Sequence, residues 1–333
     1  MEEELSQFIA AQTGSDAVNV TLKYPIAGGG SRDTWRLIAT IDGEEQELVM
    51  RKDLETEIFD HALTRQQEFN ILQVAYENNV IVPRPRWLCM DESVLGKPFF
   101  LMDYVPGVSI GVKVVHAPQL KPLHPFAPMV LGQQLAAIHA IALDDERLAF
   151  LPRPTDGQST ARLALDEAWQ TFERVGALNP AIEFGLRWLE QNAPGTSELV
   201  LVHGDYRIGN FIVGERGLHA IIDWEFTHIG DPHEDVAWGC VRDWRFGNIN
   251  QHFGGISDRE TYVKAYEEAS GRTLDRDILD YWEIMGNLNW SVTCLSQAER
   301  FLSGNEPSVE FASLGRRSAE MQFEFLSLIE RKL

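Results

Sequence analysis

Cysteine is scarce in this chain, and the scarcity excludes two classes of site. Cys89, Cys240 and Cys294 are odd in number and far apart, so neither a disulfide framework nor a C-x-x-C metal site is expected. No basic run offsets a formal net charge of −21, which excludes a nucleic-acid partner because phosphate backbones repel such a surface. The same acidity mildly favours cationic substrates over anionic ones. An unbroken bilayer-length apolar run is also missing. Pro122 to Leu143 lacks Asp, Glu, Lys and Arg, but Pro122, Pro125 and Pro128 break its first third and Gln133, Gln134 and His139 interrupt the rest. One buried helix is expected there, and no membrane contact. The start, Met1-Glu2-Glu3-Glu4-Leu5, is acidic where a signal peptide needs a basic region, so the expected compartment is a reducing cytoplasm. Internal repeats, low-complexity segments and long linkers are absent too.

What is present is material for a core. Hydrophobic residues make up 44% of 333, enough for two modest domains or one large one without staples. After a helix-like opening, Val20, Leu22 and Tyr24 alternate with more polar neighbours, as do Trp35, Leu37 and Ala39, which predicts strands. Asp42-Gly43 is a hairpin signal, and Glu47 to Arg51 forms the third strand. A helix is expected over Arg65 to Asn78, with Phe69, Leu72 and Tyr76 on its buried side. Strand candidates near Trp87–Cys89 and Phe99–Asp103 follow, then a break at Pro106-Gly107. From about Gly111 the pattern turns helical, except at Leu199–Val202 and Ala220–Ile222, which read as short buried strands. The expected class is α+β: a lobe over residues 1–105 with a small antiparallel sheet, and a mainly helical lobe over 106–333. A ligand is expected in the cleft between them.

The densest chemistry lies at His203-Gly204-Asp205-Tyr206-Arg207-Ile208-Gly209-Asn210 and Ile222-Asp223-Trp224-Glu225. Asp205 and Asn210 have the D-x-x-x-x-N spacing of a kinase catalytic loop, in which the Asp accepts the substrate proton and the Asn holds a metal. Asp223 follows one short apolar run later. Asn210 and Asp223 supply hard oxygen ligands of the kind Mg²⁺ prefers. A lone Asp in such a tripeptide is more often a turn or cap; the three residues together, between strands, carry the reading. His228 and His233 lack a recognised ligand spacing and are read as capping or surface residues.

These residues resemble the phosphotransferase family that includes the aminoglycoside and choline kinases, whose loop reads H-G-D or H-N-D. The resemblance implies a two-lobed protein-kinase-like fold, ATP and Mg²⁺ as cofactors, and a small-molecule acceptor. It makes Asp205 the base, with Arg207 facing the transferred phosphoryl group, and gives structural support to His203. The Gly-Asp-x-x-x-Asp-Val-Ala pattern, from Gly230 to Ala237, makes Asp235 a further support that accepts the loop's backbone N–H groups. In the first lobe it implies a phosphate-covering loop at Gly28, Gly29, Gly30 and Ser31, although neither a Walker loop nor a full G-x-G-x-x-G is present. Arg51 stands where the family's strand lysine is expected, with Glu68, or alternatively Glu57, as its partner. Adenine is expected against the backbone of Met102, Asp103 and Tyr104.

Within the family, the H-G-D-Y-R and I-D-W-E motifs look most like the kinase domains found with acyl-CoA dehydrogenases. That branch implies a hydroxyacyl-CoA or related hydroxy acceptor, and an acyl-CoA dehydrogenase acting in the same pathway. Arg242 and Arg245 are candidates to receive an anionic acceptor, with Trp244, Phe246, Tyr281, Trp282 and Trp290 as apolar walls or ordinary core. An aminoglycoside or amino-alcohol kinase is the alternative, and a catalytically silent nucleotide-binding regulatory module is the alternative of another class. A protein kinase is disfavoured, since Gly204 replaces the usual Arg and no D-F-G or A-P-E follows.

Overall fold

The computed structural model describes residues 1–26, 33–53, 62–155, 157–195, 198–304 and 309–333. In chain order they form α1 (Glu2–Thr13), β1 (Val18–Pro25), β2 (Asp33–Ile41), β3 (Glu44–Lys52), α2 (Arg65–Glu77), β4 (Pro85–Cys89), α3 (Glu92–Leu95) and β5 (Phe99–Asp103). Next come α4 (Gly111–His116), α5 (Ala127–His139), α6 (Thr160–Val175), α7 (Pro180–Asn192), β6 (Val200–Val202), β7 (Phe211–Gly214), β8 (Gly217–Ile221) and β9 (His228–Gly230). The chain ends in α8 (Pro232–Trp238), α9 (Arg259–Ser270), α10 (Arg276–Leu302) and α11 (Val309–Glu330). The α+β class is as expected. No helix among the described residues is long and apolar enough to cross a membrane.

Two compact units divide the chain. The first joins Met1–Ile110 to Ile141–Phe150 and Asn210–Thr227, so the segment carrying Asn210 and Asp223 belongs with the sheet. Its antiparallel sheet has the order β1-β2-β3-β5-β4. The β2–β3 turn places Asp42 and Gly43 at φ 52° and 88°, the left-handed pair that a two-residue hairpin requires. Alternation then assigns each residue of β3 to a face. Leu48 and Met50 join Leu5 and Ile9 of α1, Leu37, Phe99 and Leu101 in one core, where Phe8 meets Phe99 edge-on at 5.2 Å. Arg51 takes the opposite face, the one on which Phe100 packs against Phe69 of α2.

Helix α2 begins in a capping box. Thr64 accepts the Gln67 N–H, and the Gln67 side chain accepts the Thr64 N–H. Its buried face runs through Arg65, Glu68, Phe69, Ile71, Leu72, Val74 and Ala75, whereas Tyr76 is exposed. That corrects the expected stripe, because the burial follows the Glu68–Leu72–Ala75 row and leaves the end of the Phe69 row in solvent. The β7–β8 hairpin is tied to this unit by the reciprocal Val108–Val213 backbone pair and by the Ile221 N–H bonding the Ile81 carbonyl.

The second unit comprises Gly111–Ala140, Leu151–Gly209 and His228–Leu333, and is mainly helical. Within it β6 pairs antiparallel with β9, Val202 opposite His228 and Val200 opposite Gly230, and Asp235 of α8 reaches the His203 N–H. Asp231 caps α8 through the His233 N–H at 2.8 Å, with Pro232 in the first turn where its missing N–H costs nothing. Asp235 therefore sits in the first turn of α8, and Trp238 three residues later.

Candidate active site

In the first unit, Arg51 gathers the acidic groups. Its Nη2 bonds Asp223 Oδ1 at 2.9 Å, and its Nε lies 3.4 Å from Glu68 Oε1. Burial acts to lower the guanidinium pKa, but the carboxylates of Glu68, Asp223 and Glu225 outweigh it and raise the value, so the charge is permanent. Glu68 is also paired with Arg65, whose Nε lies 2.7 Å from Asp53. Lys52, on the other face of β3, pairs with Asp33 at 3.2 Å. Glu57 lies outside the described residues, as do Gly28, Gly29, Gly30 and Ser31.

The β7–β8 hairpin brings the backbone at Asn210 and Asp223 to the same end of one ladder. Phe211 opposes Ile221, and one step outward the Ile222 N–H bonds the Asn210 carbonyl at 2.9 Å, so Asn210 and Asp223 flank the open end of one ladder. Asp223 holds φ at 73°, left-handed backbone that a non-glycine residue adopts at a cost of about 1–3 kcal/mol. Arg51, Glu68, Asp223, Phe100, Met102 and Trp224 help to line a small recess. Of the expected adenine segment, the Asp103 N–H bonds the Arg84 carbonyl and the Tyr104 N–H bonds the Glu47 carbonyl. Both donors are committed to the sheet. Asp103 also pairs with Arg86, and the Tyr104 ring lies under Arg36.

In the second unit the His203 loop is held from below by Asp235, which is completely buried. Its Oδ2 accepts the His203 N–H at 2.6 Å and lies 3.2 Å from His139 Nε2, while Oδ1 accepts the Gly204 N–H at 3.0 Å. His139 Nδ1 is 2.8 Å from the Tyr266 hydroxyl. Burial raises the Asp235 pKa, but the His139 hydrogen bond and the loop donors prevail, and the carboxyl is held below its ordinary range. His203 Nδ1 accepts the Asp205 N–H at 3.2 Å, and the Tyr206 hydroxyl donates to the Leu131 carbonyl at 2.7 Å. Gly204 at φ 82° and Gly209 at φ 115° give the loop turns that an L side chain resists.

Asp205 Oδ1 accepts two bonds, from Arg207 Nε at 2.8 Å and from the Trp238 indole at 2.7 Å. Arg207 also lies 4.0 Å above the Trp244 ring, and Trp244 packs against Trp238 and Trp290 at 5.6 and 4.8 Å. Sequence reading gave Trp238 no role. Its only signal there was its place three residues after Asp235, one helical turn along α8.

Arg242 and Arg245, expected to receive an anionic acceptor, are engaged by carboxylates of the helical unit. Arg245 is 1% exposed and is paired with Glu283 at 3.2 Å and Glu324 at 2.9 Å; Arg242 also pairs with Glu324 at 2.9 Å. Both charges are consumed inside the helical unit. Tyr281 and Trp282 are buried as well, as core residues are. His228 pairs with Glu234, and His233 with the capping Asp231.

Among the described residues no three His, Cys, Asp or Glu side chains converge as a metal cage. The oxygen pair of Asn210 and Asp223 suits Mg²⁺ in its usual nucleotide-bound form, in which few protein groups share the ion with phosphate and water.

Comparison with known proteins places these residues in context. The profile of the phosphotransferase enzyme family matches residues 24–279. Acyl-CoA dehydrogenase family member 10 of Mus musculus is 30% identical over 59% of this chain and 18% of its own length. Acyl-CoA dehydrogenase family member 11 of Gallus gallus is 27% identical over 84% of this chain and 38% of its own. The chain thus spans well under half of these relatives. Among solved structures, a candidate aminoglycoside phosphotransferase from Ralstonia eutropha superimposes with a TM-score of 0.78 at 21% identity, covering 99% of this chain and 98% of its own. An ethanolamine kinase from Plasmodium vivax gives 0.63 at 15% identity, over 97% of this chain and 88% of its own.

Proposed function

Because the chain belongs to the phosphotransferase enzyme family, we propose that it is an ATP- and Mg²⁺-dependent small-molecule kinase that phosphorylates an acceptor hydroxyl. The observation that carries this reading is the Arg51 cluster, a permanently charged guanidinium bonded to Asp223 and braced by Glu68 on the same face of the sheet. Arg51 keeps the positive charge of the strand lysine it replaces and adds a planar fork suited to phosphate oxygens. Asn210 and Asp223 would hold Mg²⁺, which when bound neutralises charge on the phosphate oxygens.

Asp205 orients the acceptor hydroxyl and takes its proton as the acceptor oxygen bonds the γ-phosphorus. The bond from that phosphorus to the bridging oxygen breaks, ADP leaves, and the proton passes to solvent. Arg207 exchanges its bond to Asp205 for the transferred phosphoryl group. Asp235 and His203 hold the loop. Met102, Asp103 and Tyr104 would hold the adenine.

For the acceptor we propose a hydroxyacyl-CoA or related hydroxy compound, and a location in the cytoplasm. Support comes from the curated relatives, whose names are those of acyl-CoA dehydrogenases and which extend well beyond the region matched here. An acyl-CoA dehydrogenase would then act in the same pathway. The net charge of −21 favours the second reading, an amino-alcohol or aminoglycoside acceptor. Incubation with Mg-ATP and a panel of hydroxyacyl-CoA thioesters, free hydroxy acids, amino sugars and choline tests both. ADP release above the no-acceptor background with the thioesters is the expected result. Release with amines alone selects the second reading, and no release with any acceptor leaves a silent nucleotide-binding module.

A further inference from the structure

The base of the proposed reaction has a partner with no assigned role. Trp238 Nε1 donates to Asp205 Oδ1 at 2.7 Å, a short distance for a nitrogen donor and typical of a charge-assisted bond. An indole carries one N–H and no acceptor, so the direction of this bond is unambiguous. The ring is clamped where it stands. It packs on Trp244 at 5.6 Å, Trp244 packs on Trp290 at 4.8 Å, and the Trp290 indole is anchored on Asp243 at 2.6 Å. From the other side α10 approaches at Gly286, where an added Cβ would lie 3.4 Å from the Trp238 ring.

The second donor to the same oxygen behaves differently. Arg207 reaches Asp205 on an unbranched stem, and its guanidinium also lies 4.0 Å over the Trp244 ring. A guanidinium can turn toward a phosphoryl group, whereas the partly buried indole is held by its packing against Trp244 and the Gly286 backbone. We propose that Trp238 is a positioning residue for Asp205, fixing the plane of the carboxylate while Arg207 is engaged elsewhere. The inference rests on the reading of Asp205 as the base.

The first test compares wild type, Trp238→Phe, Asp205→Asn and the double variant by steady-state kinetics with Mg-ATP and the acceptor that the panel selects. Phenylalanine keeps an aromatic ring and removes the N–H. Trp238→Phe should lower kcat by about 10- to 100-fold, part of what a positioned base supplies, and leave the KM for ATP within about twofold. In the Asp205→Asn background the same change should have little further effect, because the two groups act as a unit. A kcat within about twofold of wild type overturns the proposal, and so does an undiminished effect in the Asp205→Asn background.

A second readout needs neither turnover nor the Trp238 variant to fold. In the nitrogen–proton NMR spectrum of the indole groups, Asp205→Asn should shift the Trp238 N–H resonance upfield and speed its exchange with solvent. An unmoved Trp238 signal overturns the contact itself. A wild-type chain inactive with every acceptor sinks the kinase reading, and the positioning role with it, even where the NMR shift is seen.

Discussion

Replacing Asp235 should damage this protein more than any other single change near the His203 loop. The side chain is completely buried, and its two oxygens take the His203 and Gly204 N–H groups and face His139. Asp235→Ala leaves all three without an acceptor. An orphaned buried donor costs about 1–3 kcal/mol, with the upper part of that range for donors that had faced a charged group. The three bonds share one carboxylate, so their combined loss is set at roughly 4–6 kcal/mol. Unfolding entropy scales with length, and at about 2.1 cal/mol/K per residue this chain has about 0.7 kcal/mol/K, so the melting midpoint should fall by about 6–9 °C. Asp235→Asn keeps one acceptor oxygen but turns an amide NH₂ toward a backbone N–H, and should lose about half as much.

The pH dependence has a definite sign. Because the folded Asp235 carboxyl is held below its ordinary value, its contribution is complete above the unfolded pKa of about 3.9 and is lost as pH falls through the folded value. The stability gap between wild type and Asp235→Ala should therefore be constant above about pH 5 and close in acid. Thermal scans from pH 3 to 7 provide the measurement. A midpoint shift under about 2 °C at pH 7, or a gap that widens in acid, refutes the reasoning.

Other changes report on other parts of the site. Asp223→Ala should abolish Mg²⁺-dependent ATP binding in calorimetry, and unchanged affinity with and without Mg²⁺ would contradict its place as a metal ligand. Gly209→Ala should slow turnover and destabilise the loop, since φ is 115° there and a new Cβ would lie 2.4 Å from Arg207 Nη1; wild-type kcat would contradict this. Arg245→Met should cost about 3–5 kcal/mol in urea denaturation, by leaving Glu283 and Glu324 buried without it, and should not act through acceptor KM. A raised KM at unchanged stability would restore Arg245 as an acceptor ligand.

What could be read from the sequence was local or periodic. The β2–β3 hairpin followed from Asp42-Gly43 between alternating runs, and alternation along β3 put Arg51 on the face opposite Leu48 and Met50. Short strands announced themselves in the same way. Partners across the chain did not. The positive charge of Arg242 was visible, but not Glu324, which lies 82 positions away and takes that charge for the core. His139 has no neighbour in sequence to suggest that it faces Asp235, 96 positions on. Trp238 stands one residue past the Gly230–Ala237 pattern and still gave no sign that its indole reaches Asp205. Sequence spacing reports which side chains share an element, and only the packing of one element on another decides which of them meet.

The central claim is that this chain moves a phosphoryl group with Asp205 as the base. The most direct measurement is mass spectrometry of the acceptor after incubation with Mg-ATP, for wild type and Asp205→Asn at matched, verified folding. The account predicts that the hydroxyl acceptor gains one phosphoryl group with wild type, and that the variant forms this product at least about 100-fold more slowly. Equal product formation by the two proteins would contradict it.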